Sequence, residues 1–353
     1  MYILLPATRH STSRGEAAAL RPPQPDTAPK LLDVANLRIN FGTMSVVDGV
    51  SLSLSAGEVL GLVGESGSGK SMTALALMRL LPPGGTLAAD RLTLLGEDLL
   101  AAPARRLEAL RGHQIGMIFQ EPMTALNPVL SIGSQIGETA RRHLKINRQE
   151  ARDRGIEALK RVGIPAPESR IDDFPHQLSG GMRQRVMIAM ALVCEPRLLI
   201  ADEPTTALDV TIQAQILELL QDLQAEYHMG IILISHDLGV ISSFADRVAI
   251  MYCGQVVEEA LADRIFHQPM HPYTEGLLAS IPATDHDVER LTAIEGTVPP
   301  PWALPPGCRF APRCGYAREI CTTAQPPMTQ LRPGSRAACW RNTGYAPPGY
   351  APP

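Results

Sequence analysis

From Lys30 onward, short apolar stretches alternate with longer segments that have helical spacing. Alternating or continuous apolar residues predict strands within residues 31–41, 46–54, 57–64, 115–122, 197–204 and 230–237. Apolar residues three and four apart predict helices over residues 71–81 and 211–227. A chain in which strands and helices alternate predicts an α/β fold, with a mainly parallel sheet covered by helices on both faces.

Between two of these strands the pattern becomes helical. Residues 133–145, 148–163 and 180–194 each carry helical spacing, and no strand pattern separates them. We therefore expect a helical subdomain at about residues 122–195, inserted into an α/β domain that spans residues 31–262.

The two ends of the chain have a different character. Residues 1–30 are rich in Pro, Ala, Arg, Ser and Thr without any period, which predicts a disordered tail. Residues 263–341 contain clustered prolines and few apolar runs, and we expect a small Cys-rich extension there. Residues 342–353 repeat GYAPP and predict a flexible Pro-rich end.

Composition excludes several classes of function. The 353 residues carry a formal net charge of -4, so the chain lacks the basic surplus of a nucleic-acid-binding protein. Aromatic residues make up only 4%, which argues against a stacking surface for single-stranded nucleic acid. The longest unbroken apolar run, residues 186–194, is far shorter than the roughly 20 residues of a membrane-spanning helix. The first residues lack the basic and long apolar regions of a secretory signal.

Residues 64–71, GESGSGKS, fit the phosphate-binding pattern G-x-x-x-x-G-K-[S/T]. A predicted strand precedes them and a predicted helix follows, which is the structural context that this motif requires. Glycines let the backbone wrap around phosphates, Lys70 supplies a positive charge, and Ser71 offers a hydroxyl to Mg²⁺. The predicted nucleotide contacts of this segment are Gly64, Glu65, Ser66, Gly67, Ser68, Gly69, Lys70, Ser71 and Met72.

Two adjacent carboxylates end the apolar strand at residues 197–204. Side chains of neighbouring strand residues point in different directions, so the two carboxylates can take different roles. We assign Asp202 to Mg²⁺ and Glu203 to a water molecule, as the general base.

A second anion-binding pattern occurs at residues 178–184, LSGGMRQ. A hydroxyl and two glycines precede a helix, where free backbone N–H groups favour phosphate. Because residues 64–71 already hold the β- and γ-phosphates, a second loop is useful only if it faces outward. Two subunits would then pair head to tail, each LSGG segment closing over the nucleotide of the other.

In this order and spacing, GESGSGKS, Gln120, LSGGMRQR, LLIADEP, ALD and ISHD resemble the ATP-binding subunits of ABC transporters. The resemblance implies a P-loop NTPase core with an additional antiparallel β subdomain. It also implies that Phe41 stacks on adenine, Gln120 contacts Mg²⁺, and His236 orients the attacking water. Glu203, His236 and Gln120 are thus the predicted catalytic residues. The other implied ATP contacts are Ser179, Gly180, Gly181, Gln184 and Asp209, and Mg²⁺ is assigned to Ser71, Gln120 and Asp202.

Residues 117–129 and 267–282 and the ending GCRFAPRCGYAREIC resemble more narrowly the peptide/nickel importers of the dipeptide and oligopeptide permease type. This resemblance implies an ATPase that powers peptide import from the cytoplasmic face of the inner membrane. Its implied partners are a second ATPase subunit, more in keeping with a paralogue than an identical copy, two permease subunits and a solute-binding protein. Import of nickel or another solute is one alternative. A non-transport ABC ATPase that acts on nucleic acid or a ribosome is the other.

The chain contains six cysteines. Cys194 and Cys253 stand alone in apolar segments and are expected to be small buried residues. Four others crowd into residues 308–339, and in a chain without a secretory signal this clustering favours metal over disulfides. These four are Cys308, Cys314, Cys321 and Cys339. Their wide spacing suits an iron–sulfur cluster better than zinc, and the resemblance implies a [4Fe–4S] cluster; zinc and free thiols are the alternatives.

Overall fold

The computed structural model describes residues 30–121, 125–206, 209–280 and 294–343. The predicted disordered tail lies outside these residues except for Lys30. The predicted flexible end also lies outside them except for Asn342 and Thr343.

The described strands are β1 (Lys30–Phe41), β2 (Met44–Ser55), β3 (Val59–Val63), β4 (Gly85–Ala88), β5 (Arg91–Leu94), β6 (Glu97–Asp98), β7 (Ile115–Ile118), β8 (Leu198–Asp202), β9 (Gly230–Ser235), β10 (Arg247–Tyr252), β11 (Gln255–Leu261), β12 (Thr329–Arg332) and β13 (Ser335–Ala337). The described α-helices are α1 (Lys70–Leu77), α2 (Ala104–Leu110), α3 (Ile132–Leu144), α4 (Arg148–Arg161), α5 (Pro167–Arg170), α6 (Gly180–Leu192), α7 (Val210–Tyr227), α8 (Leu238–Phe244), α9 (Ala262–His267), α10 (Pro272–Ala279) and α11 (Glu319–Thr323). Single 3₁₀ turns lie at Pro175–Gln177, Ala311–Arg313 and Trp340–Asn342.

The larger sheet has the strand order β12-β13-β11-β10-β3-β9-β8-β7. The strands from β10 to β7 pair in parallel, which confirms the predicted parallel sheet. Every residue of β3, β8 and β9 is buried. Strands that are covered on both faces need such continuous apolar runs, and these are the runs on which the prediction rested.

A smaller antiparallel sheet is built from β1, β2, β4, β5 and β6. Its apolar residues, including Leu32 and Leu37, share one buried cluster with Leu60 and Leu62 of the large sheet. Gly230 marks the close approach of the two layers, because an added Cβ would lie 2.6 Å from Leu31 Cδ2. The implied antiparallel subdomain is therefore present and packs on the parallel core.

The inserted helical subdomain consists of α3 to α6, between β7 and β8. Its helices begin where the sequence supplies caps. Asn147 and Glu150 form a reciprocal capping box at the start of α4, and Ser179 accepts a hydrogen bond from the Met182 N–H at the start of α6.

The C-terminal extension adds regular structure to the large sheet. β12 and β13 form an antiparallel hairpin, and β13 pairs with the edge of β11. Tyr252 of β10 packs against Tyr273 and Phe310 of the extension, with ring centroids 4.6 and 5.2 Å apart. The sequence pattern, with few apolar runs, did not predict this hairpin or the core that the extension shares with β10.

Within the described ranges, no helix combines the length and the apolar character that crossing a membrane requires.

Candidate nucleotide site

The phosphate-binding loop connects the end of β3 to the start of α1, as predicted. Gly69 stands at the start of the helix with φ 100°, a left-handed conformation that favours glycine. The Thr73 hydroxyl donates to the Gly69 carbonyl at 2.9 Å and closes the first turn. Ser66 and Gly67 are exposed, whereas Gly64, Ser68 and Lys70 are buried.

Lys70 lies folded over its own loop. Its Nζ donates to the carbonyls of Gly64 at 2.7 Å and Glu65 at 3.0 Å. Burial lowers the pKa of Lys70, while the carboxylates of Glu203 and Asp202 oppose that shift. The ammonium group thus lies against the loop carbonyls, close enough to Glu203 and Asp202 for their charges to act on it.

Asp202 is the buried acid of this pair, with 5% of the residue exposed. Burial raises its pKa, and a hydrogen bond with the Ser71 side chain acts in the opposite direction. Its Oδ1 is buried without a hydrogen-bond partner. A buried carboxylate oxygen that lacks a donor is costly unless a cation approaches it. Carboxylate and hydroxyl oxygens are ligands that Mg²⁺ accepts, so Ser71 and Asp202 fit the predicted metal role.

Glu203 follows β8 with its backbone at φ 47°. Its carboxylate is contacted by Gln120 Nε2 at 3.0 Å, the Thr206 hydroxyl at 2.8 Å and His236 Nδ1 at 3.2 Å. Burial favours a higher pKa, but the hydrogen bonds from Thr206 and His236 prevail and the pKa of Glu203 lies below its ordinary value. The predicted catalytic set of Glu203, His236 and Gln120 therefore meets at one carboxylate.

Thr206 was not predicted from the sequence. Its position three residues after Glu203, in a turn closed by its N–H to the Glu203 carbonyl, lets the hydroxyl return to the carboxylate. The signal available in the sequence was a hydroxyl residue following the strand-end acid at turn spacing.

The LSGG segment lies at the start of α6. Ser179 and Gly180 are exposed, and the Ser179 hydroxyl serves as the N-cap of its own helix. Gln184 is buried at 2% exposure, and its Nε2 has no hydrogen-bond partner. The exposed part of this segment, Ser179 with Gly180 and the half-buried Gly181, is the part that can meet another molecule.

The remaining predicted contacts are distributed around this centre. Phe41 ends β1 and is half-buried, with its ring against Gly85. Met72 packs against the apolar cluster beneath α1. Asp209 is exposed and accepts from the Ile212 N–H at 2.9 Å, which caps α7. The predicted contacts of Phe41, Met72 and Asp209 with nucleotide remain predictions.

The four clustered cysteines line one cavity of about 20 Å³, room for roughly one water molecule. Burial raises the pKa of Cys308 to about 11 and of Cys339 to about 12. Among the described residues, no three His, Cys, Asp or Glu side chains are placed to hold a metal ion. The cysteines converge as predicted, but their arrangement does not support the iron–sulfur cluster or a zinc ion.

Two family profiles match the chain. The profile of the ABC transporter family covers residues 47–206, which include the phosphate-binding loop and LSGG. The profile of the oligopeptide/dipeptide transporter C-terminal region covers residues 257–321, which include the first three clustered cysteines.

Individual proteins match over most of their length. The oligopeptide transport ATP-binding protein AppD of Bacillus subtilis is 52% identical over 315 residues, which cover 88% of this chain and 96% of AppD. The dipeptide transport ATP-binding protein DppD of Haemophilus influenzae is 50% identical, over 87% of this chain and 93% of DppD.

Solved structures agree on the fold. CbiO1 from Clostridium perfringens, part of the ABC transporter complex CbiONQ, superposes with a TM-score of 0.58 at 30% identity over 67% of this chain and 91% of that chain. The ATP-binding cassette MJ0796, in a dimeric post-hydrolysis state bound to ADP and phosphate, superposes with a TM-score of 0.56 at 28% identity over 65% of this chain and 98% of that chain. With its phosphate loop, paired acids and C-terminal region in the expected order, the chain belongs to the ABC transporter family of ATP-binding proteins, in the branch of the oligopeptide and dipeptide transporters.

Proposed function

We propose that this protein hydrolyses ATP to power the import of peptides through a membrane permease. The observation that carries the hydrolytic part is the meeting of Gln120, Thr206 and His236 at the Glu203 carboxylate. Lys70, the first residue of α1, and the buried acid Asp202, the last residue of β8, lie beside it. Peptide specificity is proposed because AppD and DppD, which are 52% and 50% identical to this chain, are oligopeptide and dipeptide transport proteins.

The roles of the residues follow from their positions. Lys70 and the N–H groups of residues 64–71 would bind the β- and γ-phosphates. Ser71 and Asp202 would hold Mg²⁺, with Gln120 contributing to that site as nucleotide enters; the ion neutralises phosphate charge when it is bound. Glu203, kept ionised by Thr206 and His236, would accept a proton from the attacking water. His236 would also orient that water beside the γ-phosphate.

Completion of the site would require a second ATPase subunit in a head-to-tail dimer. Ser179 and Gly180 are exposed at a helix start, where backbone N–H groups favour phosphate. We place them, with Gly181, over the nucleotide of the partner, and Asp209 at the dimer interface. The proposed partner is a paralogue; pairing of two identical chains is the alternative.

The membrane partners would dock beside Gln120. Phe119, Val129 and Leu130 expose 39%, 75% and 38% of their surface near the entrance to the helical subdomain. We propose that two permease subunits cover these side chains at the cytoplasmic face of the inner membrane. An extracytoplasmic solute-binding protein would deliver the peptide to the permease.

Membrane isolation followed by transport measurement tests this function. The full chain carrying Glu203→Gln, tagged and purified from its native membranes with Mg²⁺ and ATP, should retain two permease subunits and a second ATPase. Vesicles containing the wild-type complex should take up labelled dipeptide or oligopeptide only with ATP. Uptake of nickel but not peptide would favour the nickel alternative, and recovery with ribosomes or nucleic acid would overturn transport altogether.

A [4Fe–4S] cluster in the cysteine cavity is a separate proposal. Its support is the convergence of four thiols on one cavity, and the small volume of that cavity opposes it. Anaerobic purification followed by iron, sulfide and zinc analysis decides between the possibilities. About four iron atoms per chain, lost in Cys308→Ser, supports the cluster; one zinc atom supports zinc, and neither metal leaves four free thiols.

A further inference from the structure

The C-terminal extension contacts the phosphate-binding loop at Glu65. Arg313 Nη1 and Nη2 donate to the two Glu65 carboxylate oxygens at 2.7 and 3.1 Å. The Arg313 side chain is only 4% exposed. A two-pronged arginine–carboxylate pair fixes both distance and orientation, so the half-buried Glu65 has little freedom to move while Arg313 stays in place.

The backbone of Glu65 is held from the same side. Its N–H donates to the Tyr273 hydroxyl at 2.9 Å, and Tyr273 is fully buried. The ring of Tyr273 packs against Tyr252 and Phe310. The hydroxyl therefore projects from a rigid aromatic cluster, and Glu65 is restrained at its side chain and at its backbone together.

A second arginine of the extension, Arg309, contacts residues that lie beneath the phosphate-binding loop. Arg309 is 6% exposed; it donates to the Cys253 carbonyl and pairs with Asp48 at 2.5 Å. The neighbouring Gly254 N–H donates to the Ser68 carbonyl at 2.9 Å. Arg309 thus holds the turn between β10 and β11 in place. That turn in its own right contacts the middle of the phosphate-binding loop.

We propose that Arg313 is a positioning residue for the phosphate-binding loop, and that Arg309 supports it through the β10–β11 turn. This inference rests on the proposed ATP site and goes beyond it, because neither arginine belongs to the nucleotide motif. Arg313 acts in two ways. It keeps the loop in one conformation before nucleotide binds, and it neutralises a carboxylate that would otherwise repel phosphate.

Calorimetric titration of the full chain with ATP and Mg²⁺ provides the test. Arg313→Gln should weaken the Kd by about tenfold, the scale of one lost charge-assisted hydrogen-bond pair. The binding stoichiometry should stay unchanged. The matched control is Arg341→Gln, since Arg341 is 9% exposed and pairs with Glu275 at 3.1 Å within the same extension. That control should leave the Kd as in the wild type.

The number of ATP sites per chain distinguishes a positioning role of Arg313 from a role in folding alone. If Arg313→Gln lowers the number of sites per chain but leaves the Kd unchanged, Arg313 only stabilises the fold and the proposal is overturned. If Arg313→Gln cannot be purified, Arg313→Lys takes its place, because lysine keeps the charge but loses the two-pronged geometry. A Kd weakened by about threefold or more then supports the proposal, and a smaller change overturns it.

A double-mutant cycle tests whether Arg313 acts on ATP binding through Glu65. Glu65→Gln combined with Arg313→Gln should bind ATP about as well as Glu65→Gln alone, because without the Glu65 carboxylate Arg313 has no charge to orient or neutralise. Fully additive effects would overturn the route through Glu65. Failure of the wild-type chain to bind ATP would instead count against the proposed function, so the two failures are distinguishable.

Discussion

At the scale of single residues, the site is organised around two carboxylates. Gln120, Thr206 and His236 contact Glu203, and Arg313 holds Glu65. The sequence made candidates of residues 64–71, Asp202, Glu203 and His236, because each lies at a strand end within a recognisable segment. Arg313 contacts Glu65 across 248 positions of sequence, and Tyr273 does so across 208. No periodicity or spacing connects residues so far apart, so only the folded chain shows that they share a site.

Glu203→Gln is the most direct test of the catalytic assignment. The amide keeps the shape of the side chain but cannot accept a proton, so turnover should fall by about 10²–10⁴-fold while ATP binding is retained. Steady-state hydrolysis and equilibrium binding measure the two effects. Lys70→Ala is the contrasting variant and should lose affinity for ATP. Hydrolysis by Glu203→Gln near the wild-type rate would remove Glu203 from the role of base.

The environment of Glu203 also predicts a pH dependence. Its folded pKa lies below the ordinary value, so the carboxylate is ionised at neutral pH and protonates only as the pH falls through that lowered pKa. Thr206→Val removes one hydrogen bond and lets burial raise the pKa. The acid limb of kcat should therefore move to higher pH, which a pH–rate profile measures. Thr205→Val makes the same change one residue away and should leave the limb in place; an unmoved limb in Thr206→Val would contradict the prediction.

At the scale of elements, the buried parallel strands β3, β7, β8 and β9 were predicted, whereas β10, β11 and the terminal hairpin were not. β3, β8 and β9 are recognisable in the sequence as continuous apolar runs, because both faces of each strand are covered. β12 and β13 are short and largely polar, and their place is set by pairing with β11 and by the ion pair between Arg336 and Glu259. Such tertiary causes leave little trace in the local pattern.

The capping box of α4 yields a prediction about the stability of the helical subdomain. Asn147 accepts from the Glu150 N–H at 3.0 Å, and Glu150 accepts in return from the Asn147 N–H at 2.9 Å. Asn147→Ala should reduce the free energy of unfolding by about 1 kcal/mol, measured by denaturant titration. Lys160→Ala, at an exposed position of the same helix, should change it much less. Equal losses in both variants would mean that the box contributes nothing specific.

At the scale of the whole molecule, the proposed function gives the chain half of two different nucleotide sites. The phosphate loop, Asp202 and Glu203 lie on the core, while the exposed LSGG segment begins α6 of the helical subdomain. The sequence predicted this division because two phosphate-binding patterns in one domain would compete for one ligand. The described chain places Ser179 at the surface, where a second subunit can bring a nucleotide to it.

Placing lesions on chosen subunits tests whether Ser179 acts on the partner's nucleotide. Two differently tagged copies are combined in a Glu203→Gln background, with Lys70→Ala in one and Ser179→Phe in the other. If Ser179 serves the partner, both lesions fall in one composite site, and the closed dimer should hold one ATP. If Ser179 serves its own ATP, each site carries one lesion and neither should be occupied. Putting both lesions on the same copy reverses the two expectations, so counting bound nucleotide in both arrangements decides the matter without comparing affinities; should this chain close only with a paralogue, the same lesions are divided between the two proteins.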